Sequence, residues 1–227
     1  ATTSFLSSLT VLTMSLSTLA QQGWARARHP EKPTTPYPST AIPLSIGAAI
    51  GGVAGKIVFN AIRGSLGSAE TIGAIQAAVL FALSAATIVY TLLRSHVRTL
   101  HVSGAVPSAL IGVVTGALWA FLGIGGGPFN LVILTLLFSE GTRAAARESI
   151  LIIAFSQVAS LVYTIMSGSV PEFAPLMLVM MAAMAVAGSI AGKRVAARIS
   201  DRGTDVLYAL TLIVVMLLCV RNFLVLL

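Results

Sequence analysis

The sequence predicts an all-α protein: a polytopic membrane helical bundle built from two repeats, with a glycine-rich broken or re-entrant helix. Three observations predict it. Of 227 residues, 56% are hydrophobic and 9% charged, with a mean hydropathy of +0.95; a soluble domain needs about a quarter of its residues charged to coat one core. The apolar residues fall into long runs, and about 20 helical residues suffice to cross a hydrocarbon core of about 30 Å. Residues also recur at fixed offsets along the chain, the mark of an internal repeat.

Six runs are long enough to span: roughly Thr3 to Ala20, Ile42 to Ile62, Ile72 to Leu93, Ala145 to Met166, Phe173 to Val195 and Val206 to Leu227. A seventh region, Ala105 to Phe138, has about 34 residues, which as one helix would rise about 51 Å, well beyond the bilayer core. It must be broken. Gly125-Gly126-Gly127-Pro128 marks the break, because three glycines and a proline do not continue a regular helix cheaply. Between the first two runs, residues 21–41 carry Arg26, Arg28, Lys32, Pro30, Pro33, Pro36 and Pro38 and read as an exposed, partly extended loop. The other connections are short, as between antiparallel neighbours.

The repeat is read directly. Gly51, Ala54, Gly55, Lys56, Val58 and Ile62 match Gly188, Ala191, Gly192, Lys193, Val195 and Ile199 at an offset of 137. Ala1, Ser4, Leu6 and Ser15 match Ala146, Ser149, Leu151 and Ser160 at an offset of 145. The first repeat is expected over residues 1–104, with its loop at 21–41, and the second over 105–227, with the broken helix at 105–138. A first-copy equivalent of the break would fall before Ala1, so the first repeat is expected to lack its N-terminal broken helix. No initiator Met or signal-peptide pattern opens the chain, which is expected to be part of a longer protein. The matched glycines also have a purely structural reading, since small residues let membrane helices pack closely.

Fourteen Lys and Arg against seven Asp and Glu give +7. Most lie in short segments between apolar runs, where they set topology and meet anionic headgroups, so nucleic acid is not an expected partner. Cys219 is the sole cysteine, which excludes an intrachain disulfide and a Cys-based metal site. His29, His96 and His101 show no metal spacing. The glycine run is not followed by Lys and Ser or Thr, so it is not a nucleotide phosphate loop. No cofactor is expected.

The chemistry centres on the break. Transporters place substrates where an interrupted helix frees backbone groups for a ligand. Pro128 suits the first turn of a new helix, whose free N–H groups and partial positive charge would face Gly125, Gly126 and Gly127. An anion could bind there, with Asn130 adding a donor. The bland alternative is a packing kink. On the next run Ser149, Ser156 and Ser160 share one helix face, with Gln157 close to it. That stripe either lines a pathway or bonds a neighbouring helix; Ser4, Ser8 and Ser15 form its first-copy equivalent. Arg147 and Glu148 stand at the helix entrance, for snorkelling or a local ion pair, or with Arg147 attracting the anion. Lys56 and Lys193 read as snorkelling residues, and Trp119 as a lipid or packing residue rather than a gate.

The string Gly123-Ile-Gly-Gly-Gly-Pro-Phe-Asn130, followed by Ala146 and Ser149, resembles the signature of the TauE/SafE sulfite exporter family. The helix opening Ala1-Thr-Thr-Ser4 resembles that family's other half, without its glycine signature. The resemblance covers most of the chain. It implies a secondary transporter of sulfite, sulfonates or related sulfur-containing anions in a bacterial inner membrane, with about eight helical segments when complete. Gly125, Gly126, Gly127, Pro128, Ala146 and Ser149 are the positions that match; Arg147 and Glu148 are not part of the signature.

Charge weighs the topology. If the broken segment crosses, one side holds Lys56, Arg63, Arg143, Arg147, Lys193, Arg194, Arg198 and Arg202, which is 8 against 6. If it is re-entrant, one side collects Arg26, Arg28, Lys32, Arg94, Arg98, Arg143, Arg147, Lys193, Arg194, Arg198 and Arg202, which is 11 against 3. Charge favours the re-entrant case, with inverted repeats and an external C-terminus.

The expected function is secondary transport of a small sulfur-containing anion, as an exporter working by alternating access. Its substrate-binding residues are Gly125, Gly126, Gly127, Pro128, Asn130, Ser149, Gln157 and Arg147, and its partners are the anion and the lipid bilayer. No intramembrane Asp or Glu marks a proton relay. The alternatives are a non-transporting membrane partner or assembly protein, a carrier of another small solute, and a channel. A membrane enzyme would need a nucleophile, metal set or acid–base pair at membrane depth, and none is visible.

Overall fold

A computed structural model describes residues 2–28, 37–66, 69–93, 97–123, 125–196 and 198–226, without the side chains of 2–4, 63–66, 69–70, 92, 201–202 and 222–226. Its helices are α1 (Thr2–Arg28), α2 (Ala41–Leu66), α3 (Ala69–Leu93), α4 (Ala105–Leu122), α5 (Gly127–Leu137), α6 (Thr142–Met166), α7 (Pro175–Ala196) and α8 (Asp201–Leu226). Strands are absent among the described residues. Gln21 to Arg28, expected as the start of the loop, are helical. His29, Pro30, Lys32, Pro33, Pro36, Arg94, His96 and Ile124 lie outside the described residues, as do Ala1 and the side chains of Ser4, Arg63 and Arg202.

Among the described residues, six helices are long and apolar enough to cross a membrane: α2, α3, α4, α6, α7 and α8. They turn large apolar side chains outward, among them Ile50, Leu110, Met184 and Leu217 at 60%, 62%, 72% and 64% exposure. That surface suits lipid and not water. The sequence expectation had α1 among the spans and the break inside a single long segment. The break instead separates α5 from α4, which is long enough to span by itself; Ser and Thr recur along α1. Its threonine hydroxyls turn back on the helix: Thr10, Thr13 and Thr18 each donate to the carbonyl four residues earlier at 2.8 Å. Such back-bonding lets hydroxyls sit in a helix without an outside partner.

Glycine determines which helices approach most closely. Gly47, Gly51 and Gly55 of α2 lie against the backbones of Ala109, Val113 and Ala117 of α4, while Gly112 and Gly116 of α4 meet Leu44 and Ala48. An added Cβ at any of the five would overlap a backbone carbonyl, so the contact requires glycine. Gly188 and Gly192, their matches in α7, have open space instead.

These pairings fix directions. Contacts from 47 to 109, 51 to 113 and 55 to 117 make α2 and α4 parallel. Gly52 against Ser156 and Lys56 against Ser160 make α6 parallel to both. The chain therefore turns back after α4. Leu100 N–H donates to the Leu136 carbonyl at 2.9 Å, and Val102 N–H to Leu137 at 2.7 Å. The start of α4 and the end of α5 thus lie at one end of the bundle.

Other helices end there too. Tyr37 donates to Gln22 of α1 at 3.1 Å and lies under the Arg147 guanidinium at 5.2 Å, so α1 ends where α6 begins. Lys193 of α7 donates to the Gln21 carbonyl at 3.2 Å, and Ser17 pairs with Ser189 at 2.9 Å. Arg26, Arg28, Arg98, Arg143, Arg147, Lys193, Arg194 and Arg198 gather at this end.

Candidate functional site

The break is built by local backbone geometry. Gly123 ends α4 in the left-handed region at φ 68°, and Gly126 opens α5 at φ 70°. Such angles suit glycine, since a side chain there is strained. Pro128 lies in the first turn of α5, where its missing N–H costs nothing. No side chain caps this terminus, so its first N–H groups have no partner within the helix. With 11 residues, α5 is about 16 Å long, half of a hydrocarbon core.

Three helices hold the break in place. Ser149 of α6 donates to the Gly127 carbonyl at 3.4 Å, Tyr208 of α8 to the Pro128 carbonyl at 2.6 Å, and Gln76 of α3 to the Phe121 carbonyl at 2.5 Å. Trp119 packs under it, its ring centroid 5.2 Å from that of Phe129 and tilted by 26°. Its indole N–H donates to Asn130 Oδ1 at 2.7 Å. That bond assigns the amide orientation and commits Oδ1, leaving Nδ2 as the Asn130 group with no hydrogen-bond partner.

Beside the break lies a cavity of about 50 Å³. One water needs about 10–15 Å³ on the same measure, so the space takes a group of roughly three to five heavy atoms. Gly123, Gly125, Trp119 and Asn130 form one wall; Ile152, Ser156, Gln157 and Ser160 of α6 another; Ser7, Ser8 and Val11 of α1 a third; and Lys56 of α2 completes it. Among the described residues no Asp or Glu lines it, and Lys56 is its sole basic residue. Lys56 Nζ donates to the Ser160 carbonyl at 3.3 Å and to Thr164 Oγ1 at 3.0 Å. An ammonium group has three donors, so one remains. Gln157 Oε1 is buried without a hydrogen-bond partner.

Of the residues expected to bind substrate, Gly125, Asn130 and Gln157 line this cavity. Gly126, Gly127, Pro128 and Ser149 are not among its lining residues; they form the start of α5 and its tie to α6 through the Ser149 hydroxyl and the Gly127 carbonyl. Arg147 is placed apart, at the basic end beside Tyr37. Sequence reasoning assigned Lys56 to snorkelling, but it lines the cavity. The available signal was the apolar run continuing past it through Ile57, Val58 and Phe59. Trp119 is a packing residue, as expected, but a buried one at 5% exposure and not lipid-facing. Ser15, expected in the polar stripe, spends its hydroxyl on the Val11 and Leu12 carbonyls.

The family model of the sulfite exporter TauE/SafE matches residues 3–220, nearly the whole chain. The chain belongs to the TauE/SafE family. The family is one of membrane transporters, and the six apolar helices make this TauE/SafE member a multi-pass membrane protein. No curated protein and no solved structure matches the chain.

The structure also corrects the reading of Glu148 as a headgroup-facing residue at the helix entrance. Glu148 falls within the span of α6 and is 1% exposed, with neither carboxylate oxygen hydrogen-bonded. Its place beside Arg147 near the start of α6 suggested headgroup exposure, but the side chain is turned inward.

Proposed function

We propose that the protein is a secondary transporter that exports small sulfur-containing anions, such as sulfite or organosulfonates, across a bacterial inner membrane by alternating access. One observation carries the reading: a small cavity beside the helix break has a lysine, an unpartnered amide donor and serine hydroxyls in its walls, and no carboxylate. In a low-dielectric interior such a set favours negative charge. Lys56 supplies the charge, and Asn130, Gln157, Ser156 and Ser160 supply hydrogen bonds. Gly125, Gly126, Gly127 and Pro128 present the N-terminus of α5, with its partial positive charge. Ser149 holds that wall, and Arg147 draws anions to the basic end.

The helix directions support a re-entrant α4–α5 hairpin and inverted repeats over residues 1–104 and 105–227. Two observations are relevant: α1 ends where α6 begins, and α2 begins where α7 ends. The basic end then faces the cytoplasm. Inverted halves that exchange conformations give access to a central site from each side in turn.

The test is uptake of radiolabelled sulfite into proteoliposomes, with Gly126→Val alongside and unlabelled sulfate, sulfonates and chloride as competitors. Saturable flux lost in Gly126→Val is the expected result. No flux of any sulfur anion through folded protein overturns the substrate assignment and favours another solute or a non-transporting role.

A further inference from the structure

The cavity accounts for the anion and leaves Glu148 without a role. This carboxyl is 1% exposed, inside a candidate membrane span, with both oxygens lacking hydrogen-bond partners. A carboxylate buried without donors is costly, and this arrangement gives the Glu148 oxygens no hydrogen bond to hold a charge. Retaining an acid in such a place has a functional reading in membrane proteins, where intramembrane carboxyls mark ion and proton paths.

Its position is informative. Glu148, Ile152 and Ser156 are spaced by four along α6 and share a face, and Ile152 and Ser156 line the cavity. Glu148 therefore lies one turn beyond the cavity wall, about 6 Å along the axis, on the side of the basic end. The charged residues acting on it most strongly are Glu140 and Arg147. Of the helices packed on α6, α1 brings Arg26 and Arg28, which lie over the Tyr37 and Trp24 rings. On α2 the charges are Lys56, which lines the cavity, and Arg63; α5 has none; α8 carries Asp201, Arg202 and Arg221, with Asp205 accepting from Thr142. Among the described residues no hydrogen bond reaches the Glu148 oxygens.

We propose that Glu148 is a proton-binding site whose loading and release are coupled to passage of the anion between the cavity and the basic end. The inference rests on the transporter reading and adds its coupling ion. A carboxyl can take a proton by itself, whereas a metal cation needs several ligands around it, and among the described residues no group of three or more His, Cys, Asp or Glu side chains could hold one. The carboxyl is proton-loaded while buried in this way and gives up its proton when water reaches it from the basic end.

The test uses purified protein in proteoliposomes: wild type, Glu148→Gln and Glu148→Asp. Sulfite counterflow is measured without gradients, and sulfite accumulation under an imposed pH gradient or an imposed sodium gradient. Expected results are accumulation by wild type on the pH gradient alone, counterflow retained but accumulation lost in Glu148→Gln, and accumulation restored in Glu148→Asp. Unchanged pH-driven accumulation in Glu148→Gln, or sodium-driven accumulation in wild type, overturns the proposal. Absence of counterflow in wild type overturns the transporter reading itself, and the proposal with it. Should Glu148→Gln fail to fold, Glu148→Asp carries the test. It must accumulate sulfite with a displaced pH profile, and an unchanged profile overturns the proposal.

Discussion

Trp119 and Asn130 are joined across the helix break: the indole N–H donates to Asn130 Oδ1 at 2.7 Å, with both residues buried at 5% and 3% exposure. The bond sets which end of the amide is committed and which is left for a ligand. Trp119→Phe keeps an aromatic ring to stack on Phe129 but removes the donor. Loss of one such hydrogen bond costs about 1 kcal/mol, so KM for sulfite is expected to rise by roughly fivefold with the maximal rate little changed. The concentration dependence of flux in proteoliposomes checks this.

Gly126 combines a positive φ with close packing. At φ 70°, an added Cβ would collide with the Trp119 indole. Gly126→Ala is expected to lose stability by about 1–2 kcal/mol from backbone strain alone, with further loss from the collision, and to lose transport. Gly141→Ala is the control, since Gly141 is the N-cap of α6 at φ −66° with open space around it. Thermal unfolding in detergent and sulfite flux should separate the two variants.

Matched glycines of the two repeats should respond differently. Gly51→Val pushes a branched side chain into the Val113 backbone, whereas Gly188→Val meets nothing within 4 Å. Overpacking typically costs about 1–3 kcal/mol, and a rigid carbonyl puts Gly51→Val at or above the top of that range. Unfolding midpoints of the two variants, compared with wild type, give the answer.

Lys56→Gln removes the basic group that lines the cavity while keeping a donor for Ser160 and Thr164. Weaker anion affinity by roughly tenfold or more is expected, as for a charge-assisted hydrogen bond worth about 1.5–3 kcal/mol. Lys56→Arg should retain part of the affinity. Competition of unlabelled sulfite against labelled sulfite measures both.

Much of the fold was legible because it rests on local chemistry. The apolar runs and the Gly125 to Pro128 break are set by hydropathy and backbone freedom, and the helix ends fall close to them. The candidate site was legible where it is backbone-built. Asn130, Gly125 and Gln157 lie one to a few residues from the glycines, or on a polar stripe facing them. What sequence concealed was the facing of single polar residues inside apolar helices. Whether Lys56 snorkels or turns inward depends on the Ser160 carbonyl, 104 residues away. The burial of Glu148 likewise depends on tertiary packing of α6 that no local pattern encodes. Gly188 and Gly192 repeat the spacing of Gly51 and Gly55 without the α4-like partner that would give it meaning in these residues.

The central claim is that the cavity beside the break binds a small anion through Lys56, Asn130 and the start of α5. The most direct measurement is equilibrium binding of radiolabelled sulfite to purified protein, wild type against Asn130→Asp. That substitution is nearly isosteric, keeps an oxygen for the Trp119 N–H, and places a negative charge in the cavity wall. The account predicts saturable binding by wild type and none by a folded Asn130→Asp protein. Equal binding by both would contradict it and remove the anion from this cavity.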